Sequence, residues 1–357
     1  MKIAFVISIK IWGGVKTWML EFGRALQERG HEVVFFSNDS KLTDEVLRSG
    51  SQAYTVRFGP DYSPISIAYF YRKFKRHGID VTCMNIQKEL RTAGIAAKML
   101  KIPVVQRIGL PSDINFKLDQ KLAQRYIVDE ILVTCRWMKT ETASNIPFTP
   151  EEKYTVVYNS KPVVCEPRAG KQDPVRFVIT SRPVDGKGHE GLVEAFRRLS
   201  EMKVDRFVCD MYGEGELKSK LQALVNQYGL QDKIQLKGFS RQLNEKLKSY
   251  DFGVLTSNKE GLPNTVIEYM SMALPCITTR AGALPEVVEH EKNGLLFDYN
   301  DIETLTDYLK RCITMDDETY AKFSLESHRT IAEKFNLEKN VQALEAYFEE
   351  VIEKYRP

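Results

Sequence analysis

The sequence predicts an α/β protein built from two doubly wound parallel sheets, and three observations carry that prediction. Short apolar runs alternate with amphipathic stretches along the chain, which is the pattern of parallel strands joined by crossover helices. The 357 residues, 43% hydrophobic and 28% charged, supply enough apolar side chains for two ordinary cores. A polar stretch from Tyr154 to Pro174, bearing Pro162, Pro167, Gly170 and Pro174, breaks the alternation and reads as a linker. We therefore expect a first domain over residues 1–165 and a second over 166–337. A last helical stretch, Leu337 to Tyr355, belongs to a terminal segment of about 338–357 that is long enough at about 1.5 Å per residue to pack back on the first domain.

Each element follows from its local pattern. Lys2 to Ser8 has the length of a buried strand, with Ile3-Ala4-Phe5-Val6-Ile7 as its apolar run. A Gly13-Gly14 loop follows, then helical spacing from Val15 to Arg29 that Gly30 ends. Glu32 to Phe36, Val81 to Met84, Val104 to Arg107 and Glu130 to Thr134 complete the strands of the first half, with helical segments such as Arg91 to Leu100 between them. In the second half Arg176 to Thr180, Phe207 to Tyr212, Lys233 to Leu236, Phe252 to Leu255 and Pro275 to Thr278 repeat the strand pattern.

Charge and cysteine content narrow the class. The net charge is +3, which argues against a wholly basic nucleic-acid binder. The halves differ: up to Cys165 there are 24 basic and 16 acidic residues, and beyond it 27 and 32. Six scattered cysteines form no CxxC pair, so they read as free thiols of a reducing cytoplasm rather than a zinc site or a disulfide framework. No signal peptide and no bilayer-spanning run is recognisable, so a cytoplasmic protein with at most peripheral membrane contact is expected.

Ligands of open parallel sheets bind at the carboxyl ends of strands, so the loops there carry the most weight. Ser181-Arg182-Pro183-Val184-Asp185-Gly186-Lys187-Gly188 places two cations after a strand, a combination suited to a diphosphate. Gly213-Glu214-Gly215 permits close backbone approach or a tight turn, and Phe239 can stack on a base or fill the core. The most informative run is Glu260-Gly261-Leu262-Pro263-Asn264-Thr265-Val266-Ile267-Glu268. Pro263 suits a first helical turn, leaving the N–H groups of Asn264 and Thr265 toward an anion. Glu260 ahead of that helix and Glu268 within it can accept hydrogen bonds from hydroxyls at two ends of a phosphate-bearing ligand. Gly282-Ala283-Leu284-Pro285-Glu286 repeats the strand-to-helix arrangement, as a cradle or an ordinary turn.

Together, Arg182 with Lys187, Gly213-Glu214-Gly215, Gly238-Phe239, Glu260 with Glu268, and Gly282 to Glu286 resemble glycosyltransferase family 4, retaining enzymes of GT-B fold. The resemblance covers nearly the whole chain and is strongest from about 176 to 300. It implies two Rossmann-like domains facing across a cleft and transfer of a sugar from a UDP- or GDP-sugar, with no cofactor and no metal. Arg182 and Lys187 would neutralise the diphosphate, Glu260 would contact the donor sugar and Glu268 the ribose. Residues Gly261, Leu262, Asn264 and Thr265 would cap the phosphates, and Gly14 would approach the donor from the first domain.

One departure bears on mechanism. Family members often carry a His after a first-domain strand, where Val104-Val105-Gln106-Arg107-Ile108-Gly109 offers Arg107 instead. All five His, at 31, 77, 189, 290 and 328, fall elsewhere, and His189 reads as structural or as a helix start. Arg107 and Lys16 are the acceptor candidates. Lys10, Trp12, Lys16 and Trp18 around Gly13-Gly14 can attract and stack on an acceptor, although core packing explains Trp18 equally well. Ile65 to Arg76 mixes aromatics with cations, which suits an anionic membrane surface or a plain crossover helix with a basic edge. A glycan, lipid-linked or lipopolysaccharide-type acceptor at the inner face of the plasma membrane follows as an expectation. An epimerase or hydrolase acting on nucleotide sugars is the competing enzyme class. A dinucleotide oxidoreductase lacks its GxGxxG after the first strand of either domain, and the intact charged set speaks against a silent binding subunit.

Overall fold

In a computed structural model of the chain, residues 1–10, 12–114, 117–240 and 242–356 are described. They form two compact units, one of Met1–Asn159 with Leu337–Pro357 and one of Ser160–Asn336. Pro357, at the end of the expected terminal segment, lies outside the described residues.

The first unit carries seven parallel strands: β1 (Lys2–Ile7), β2 (Glu32–Ser37), β3 (Gln52–Thr55), β4 (Val81–Met84), β5 (Val104–Ile108), β6 (Glu130–Val133) and β7 (Tyr154–Val156). Their order is β3-β2-β1-β4-β5-β6-β7, with Ile3 opposite both Val33 and Val81. Continuous apolar runs such as Ile3 to Ile7 are buried because helices cover both faces of the sheet. Phe5, Phe22, Phe35 and Trp18 form one core with Val341, Leu344, Phe348 and Val351 of the Leu337–Lys354 helix. Glu345 of that helix pairs with Arg29 at 2.5 Å and with His31 at 2.6 Å.

The second unit carries β8 (Val175–Ile179), β9 (Phe207–Tyr212), β10 (Ile234–Gly238), β11 (Phe252–Leu255), β12 (Cys276–Thr279) and β13 (Gly294–Phe297). All are parallel, in the order β10-β9-β8-β11-β12-β13. In its core Phe177 stacks on Phe252 and Phe196 on Phe207, and Phe177 meets Phe196 edge-on.

Three strands escape the sequence reading, and all three are sheet edges: β3, β7 and β13. Edge strands are short and need no long apolar run. β7 lies inside the stretch read as a linker, and the division between units falls at Asn159 rather than after Cys165. The reason is local: Lys161 bridges to Asn336 and its N–H donates to the Phe335 carbonyl, tying both chain ends of the second unit together. The stretch expected as helix over Arg91 to Leu100 begins earlier, at Gln87, and passes through a π-helical turn over Leu90–Gly94. The cysteines are free, five buried and Cys165 half-buried.

Candidate active site

Strand order reverses between β8 and β11 in the second unit and between β1 and β4 in the first. Such switch points open a crevice at the carboxyl ends of the strands.

In the second unit the loops after β8 and β11 are laced together. Thr256 Oγ1 donates to the Lys187 carbonyl at 2.8 Å, and the Asn258 N–H donates to the Gly186 carbonyl at 2.8 Å. Gly188 is left-handed (φ 70°), and a Cβ there would lie 2.2 Å from the Thr256 carbonyl oxygen, so a side chain would part the loops. Held this way, Lys187 Nζ donates to Glu260 Oε1 at 2.5 Å, with both side chains partly buried. The loop after β12 closes on Glu260 from behind: Gly282, at φ 55°, leaves no room for a Cβ, which would sit 1.7 Å from the Glu260 carbonyl oxygen. Lys187 and Glu260, 73 residues apart, thus meet where three post-strand loops converge.

Glu268 is held by a residue that the sequence reading missed. Its Oε1 accepts from Lys161 Nζ at 2.9 Å, with side-chain exposures of 19% and 7%. Lys161 sits in the supposed linker, and no spacing rule connects it with Glu268. The Asn264–Ser271 helix bearing Glu268 is also bolted to β8, because the Thr180 N–H donates to the Tyr269 hydroxyl at 2.7 Å. Pro263 is the residue before this helix, extended at ψ 122°, and not part of its first turn. Gly261 and Leu262 are buried, while Asn264 and Thr265 are half-buried at the helix start.

The remaining donor candidates divide. Arg182 is exposed, and its side chain has no hydrogen bond or ion pair among the described residues. Phe239 is 70% exposed, so it does not fill the core. Gly213 and Gly215 abut backbone: a Cβ on either would fall 2.5 Å from the Ser181 and 2.3 Å from the Pro183 carbonyl oxygen, respectively. Their smallness serves loop-on-loop packing, the turn reading of that motif.

His189 starts the His189–Glu201 helix and is buried. Its Nε2 lies 3.2 Å from the Ser181 carbonyl, which only accepts, so Nε2 carries the proton. Desolvation pulls its pKa down to about 4. An unfolded chain protonates a His below about 6.5, so the unfolded state binds more protons between about 6.5 and about 4, and stability falls as pH falls through that window. We expect urea unfolding to show a loss of about 1–3 kcal/mol between pH of about 7 and about 4.5, and His189→Gln to flatten that slope. An unchanged slope in the variant would place the pH dependence elsewhere.

In the first unit the candidates are corrected by burial. Lys16 is buried, with its Nζ 2.5 Å from Asp39 Oδ2 and donating to the Lys10 carbonyl at 2.8 Å. Its charge is matched inside the protein, so it does not reach out to an acceptor. Arg107 is also buried: Nη2 donates to Asn159 Oδ1 at 2.9 Å, and the guanidinium lies 4.4 Å from the centre of the Trp18 ring. Desolvation lowers its pKa to about 10, and its surface is not open to an acceptor. Gly14 is exposed at the start of the Gly14–Glu28 helix. In the Ile65 to Arg76 run, Phe70 and Phe74 are core residues and Lys73 is half-buried over the Tyr54 ring, which leaves Ile65, Arg72, Lys75 and Arg76 exposed.

The switch point of the first unit holds a buried acid without a sequence signal. Glu89 accepts from the Ser8 N–H at 2.6 Å and the Asn85 N–H at 2.6 Å, and thereby joins the loops after β1 and β4. Burial pushes its pKa up, against those hydrogen bonds. It is a clamp on the loops.

Residues 12–160 match the family described as Glycosyltransferase Family 4, and residues 166–330 match Glycosyl transferases group 1. A UDP-Gal:alpha-D-GlcNAc-diphosphoundecaprenol alpha-1,3-galactosyltransferase of Escherichia coli is 30% identical, over 99% of this chain and 98% of its own length. The putative colanic acid biosynthesis glycosyltransferase WcaL of Salmonella typhimurium is 29% identical over 171 residues, where the match spans 46% of this chain and 42% of the relative. The crystal structure of Anabaena Alr3699/HepE in complex with UDP superposes with a TM-score of 0.83 at 18% identity, over 98% of this chain and 100% of that one. With matches to both halves and one relative aligned from end to end, the chain belongs to glycosyltransferase family 4 and carries the two Rossmann-like units of the GT-B fold.

Proposed function

We propose that this protein moves a sugar, with retention at the anomeric carbon and without a metal, from a nucleotide-diphosphate sugar to a glycan, lipid-linked or lipopolysaccharide-type acceptor. The observation that carries the reading is the Lys187–Glu260 pair at the switch point of the second unit. Lys187 and the exposed Arg182 provide positive charge where the diphosphate would leave, and stabilising developing charge is the largest catalytic term available to such a site. These cations supply what a divalent ion supplies elsewhere, which is the basis for proposing transfer without one. Glu260 takes hydroxyls of the donor sugar and Glu268 those of the ribose. In the proposed front-face step the bond from the anomeric carbon to the phosphate oxygen breaks as the acceptor oxygen bonds on the same face. The acceptor proton passes to the leaving phosphate. Lys187 occupies a Glu260 oxygen at 2.5 Å, which disfavours that carboxylate as a covalent nucleophile.

The relatives incline the donor toward uridine nucleotides: one is named for UDP-Gal and a diphosphoundecaprenol acceptor, and one neighbour holds UDP. A bilayer-linked acceptor would place the enzyme at the inner face of the plasma membrane. Thermal shift with UDP, GDP and ADP tests the donor side, because a ligand at about 100 times its Kd stabilises by about 2.7 kcal/mol. UDP is expected to raise the melting temperature most, and no shift with any nucleotide would overturn the reading. Donor turnover with and without a lipid-diphosphate sugar acceptor then separates transfer from hydrolysis; free sugar released at the same rate in both would favour the hydrolase.

A further inference from the structure

The Leu118–Tyr126 helix of the first unit is turned inside out. Leu118, Leu122 and Tyr126, spaced four apart and therefore on one face, are 72%, 47% and 63% exposed. The buried face instead carries Gln120, Ala123 and Gln124. Polar contacts hold that inner face: Gln124 Nε2 donates to Gln106 Oε1, and Gln106 Nε2 donates to the Asn85 carbonyl at 3.1 Å. Asp119, at the flank, pairs with Arg91. A helix that packs a water-facing surface has the opposite pattern.

Beside the apolar row runs a second one, Lys117, Lys121 and Arg125, also spaced four apart and exposed. Arg125 lies over the Tyr126 ring at 5.5 Å. Thus the outward surface of this helix presents three apolar side chains and three cations, while its single acid is turned to Arg91. Arg91 also reaches Asp61 at 2.5 Å, so the start of the Pro64–His77 helix, with exposed Tyr62 and Ile65, lies alongside. Both helix starts follow strands and sit at the carboxyl edge of the sheet, the edge where an acceptor would be met.

We infer that this face is a docking surface for an anionic bilayer, with Leu118, Leu122 and Tyr126 entering the headgroup boundary and Lys117, Lys121 and Arg125 on lipid phosphates. Paired apolar and cationic rows are what interfacial helices use. A second copy of the chain fits less well, because a two-fold contact would set the cationic rows against each other. The inference deepens the proposed lipid-linked acceptor but is tested without it, since vesicle binding needs neither donor nor turnover.

The test is co-sedimentation of the full chain with vesicles of phosphatidylcholine alone or mixed with phosphatidylglycerol. Binding to the mixed vesicles is expected to exceed that to neutral ones by about tenfold. The pairs Leu118→Ser with Leu122→Ser, and Lys121→Glu with Arg125→Glu, are each expected to lower it by about tenfold, with unchanged circular dichroism and melting temperature. Reversing Arg72 and Arg76 on the Pro64–His77 helix is expected to change binding by less than about threefold. Equal pelleting with both vesicle types, no pelleting, or retention in both variant pairs would overturn the inference. So would a dimer in size-exclusion chromatography that the Leu118→Ser with Leu122→Ser pair dissolves, since that would assign the face to a second copy.

Discussion

Lys187→Ala is expected to lower sugar transfer by about 100- to 1000-fold, the cost of removing one preorganised donor from a charge-stabilising site. Lys187 is positioned by its backbone, through Thr256 and Gly186, and not by its own ion pair. Truncation therefore removes the ammonium group without loosening the loop. The lost Glu260 pair is partly solvated and costs stability by about 1 kcal/mol or less, so the melting temperature should move little while turnover collapses. Donor KM should rise less than kcat falls, because charge on the leaving diphosphate grows toward the transition state. Glu260→Ala is expected to give a similar loss through misplacement of the sugar. Near-normal turnover in both variants would remove this pair from the site.

Lys161→Met should act differently, on donor affinity and on stability together. Lys161 and Glu268 form an ion pair that is largely out of water, and removing one partner of such a pair costs about 3 kcal/mol because the other charge stays behind unpaired. Left without Lys161, the Glu268 carboxylate loses the bond that aims it, so donor KM is expected to rise by about tenfold or more with kcat changed far less. Adding Glu268→Gln to Lys161→Met should recover part of the stability and none of the affinity, since it removes the orphan charge but not the need for an aimed acceptor. Calorimetry and donor titrations of the single and double variants check both arms. A Lys161→Met protein with unchanged melting temperature and unchanged donor KM would reduce the pair to a surface contact.

Much of the second unit was legible because its chemistry is local to strand ends. Ser181 to Gly188 and Glu260 to Glu268 each follow an apolar run of strand length, and the order of such loops is a sequence property. Contacts that close the site were not legible. Gly213 and Gly215 read in sequence as a tight turn more readily than as a ligand cradle, and only the fold shows the Ser181 and Pro183 carbonyls lying against them. Lys16, in the first turn of the Gly14–Glu28 helix, and Arg107, near the end of β5, stand at the carboxyl edge of the first sheet, but Asp39 and Asn159, with which they pair, are 23 and 52 residues away. Burial of a cation depends on such partners and leaves no local mark.

The basic first half and the acidic second half found a partial account in the same terms. Arg182 and Lys187 gather cations inside an acidic unit, and Lys117, Lys121 and Arg125 gather them on one helix of the basic unit. Sequence alone determined the α/β class, the interior strands and the post-strand loops, because hydrophobic period and strand-end residues are set within a few neighbours along the chain. Tertiary structure alone decided the edge strands β3, β7 and β13, the strand reversals, the Lys161–Glu268 pair and which face of the Leu118–Tyr126 helix meets solvent. Those depend on which distant segment lies alongside, and a helix with glutamines on one side and leucines on the other does not say by itself which side its neighbours will take.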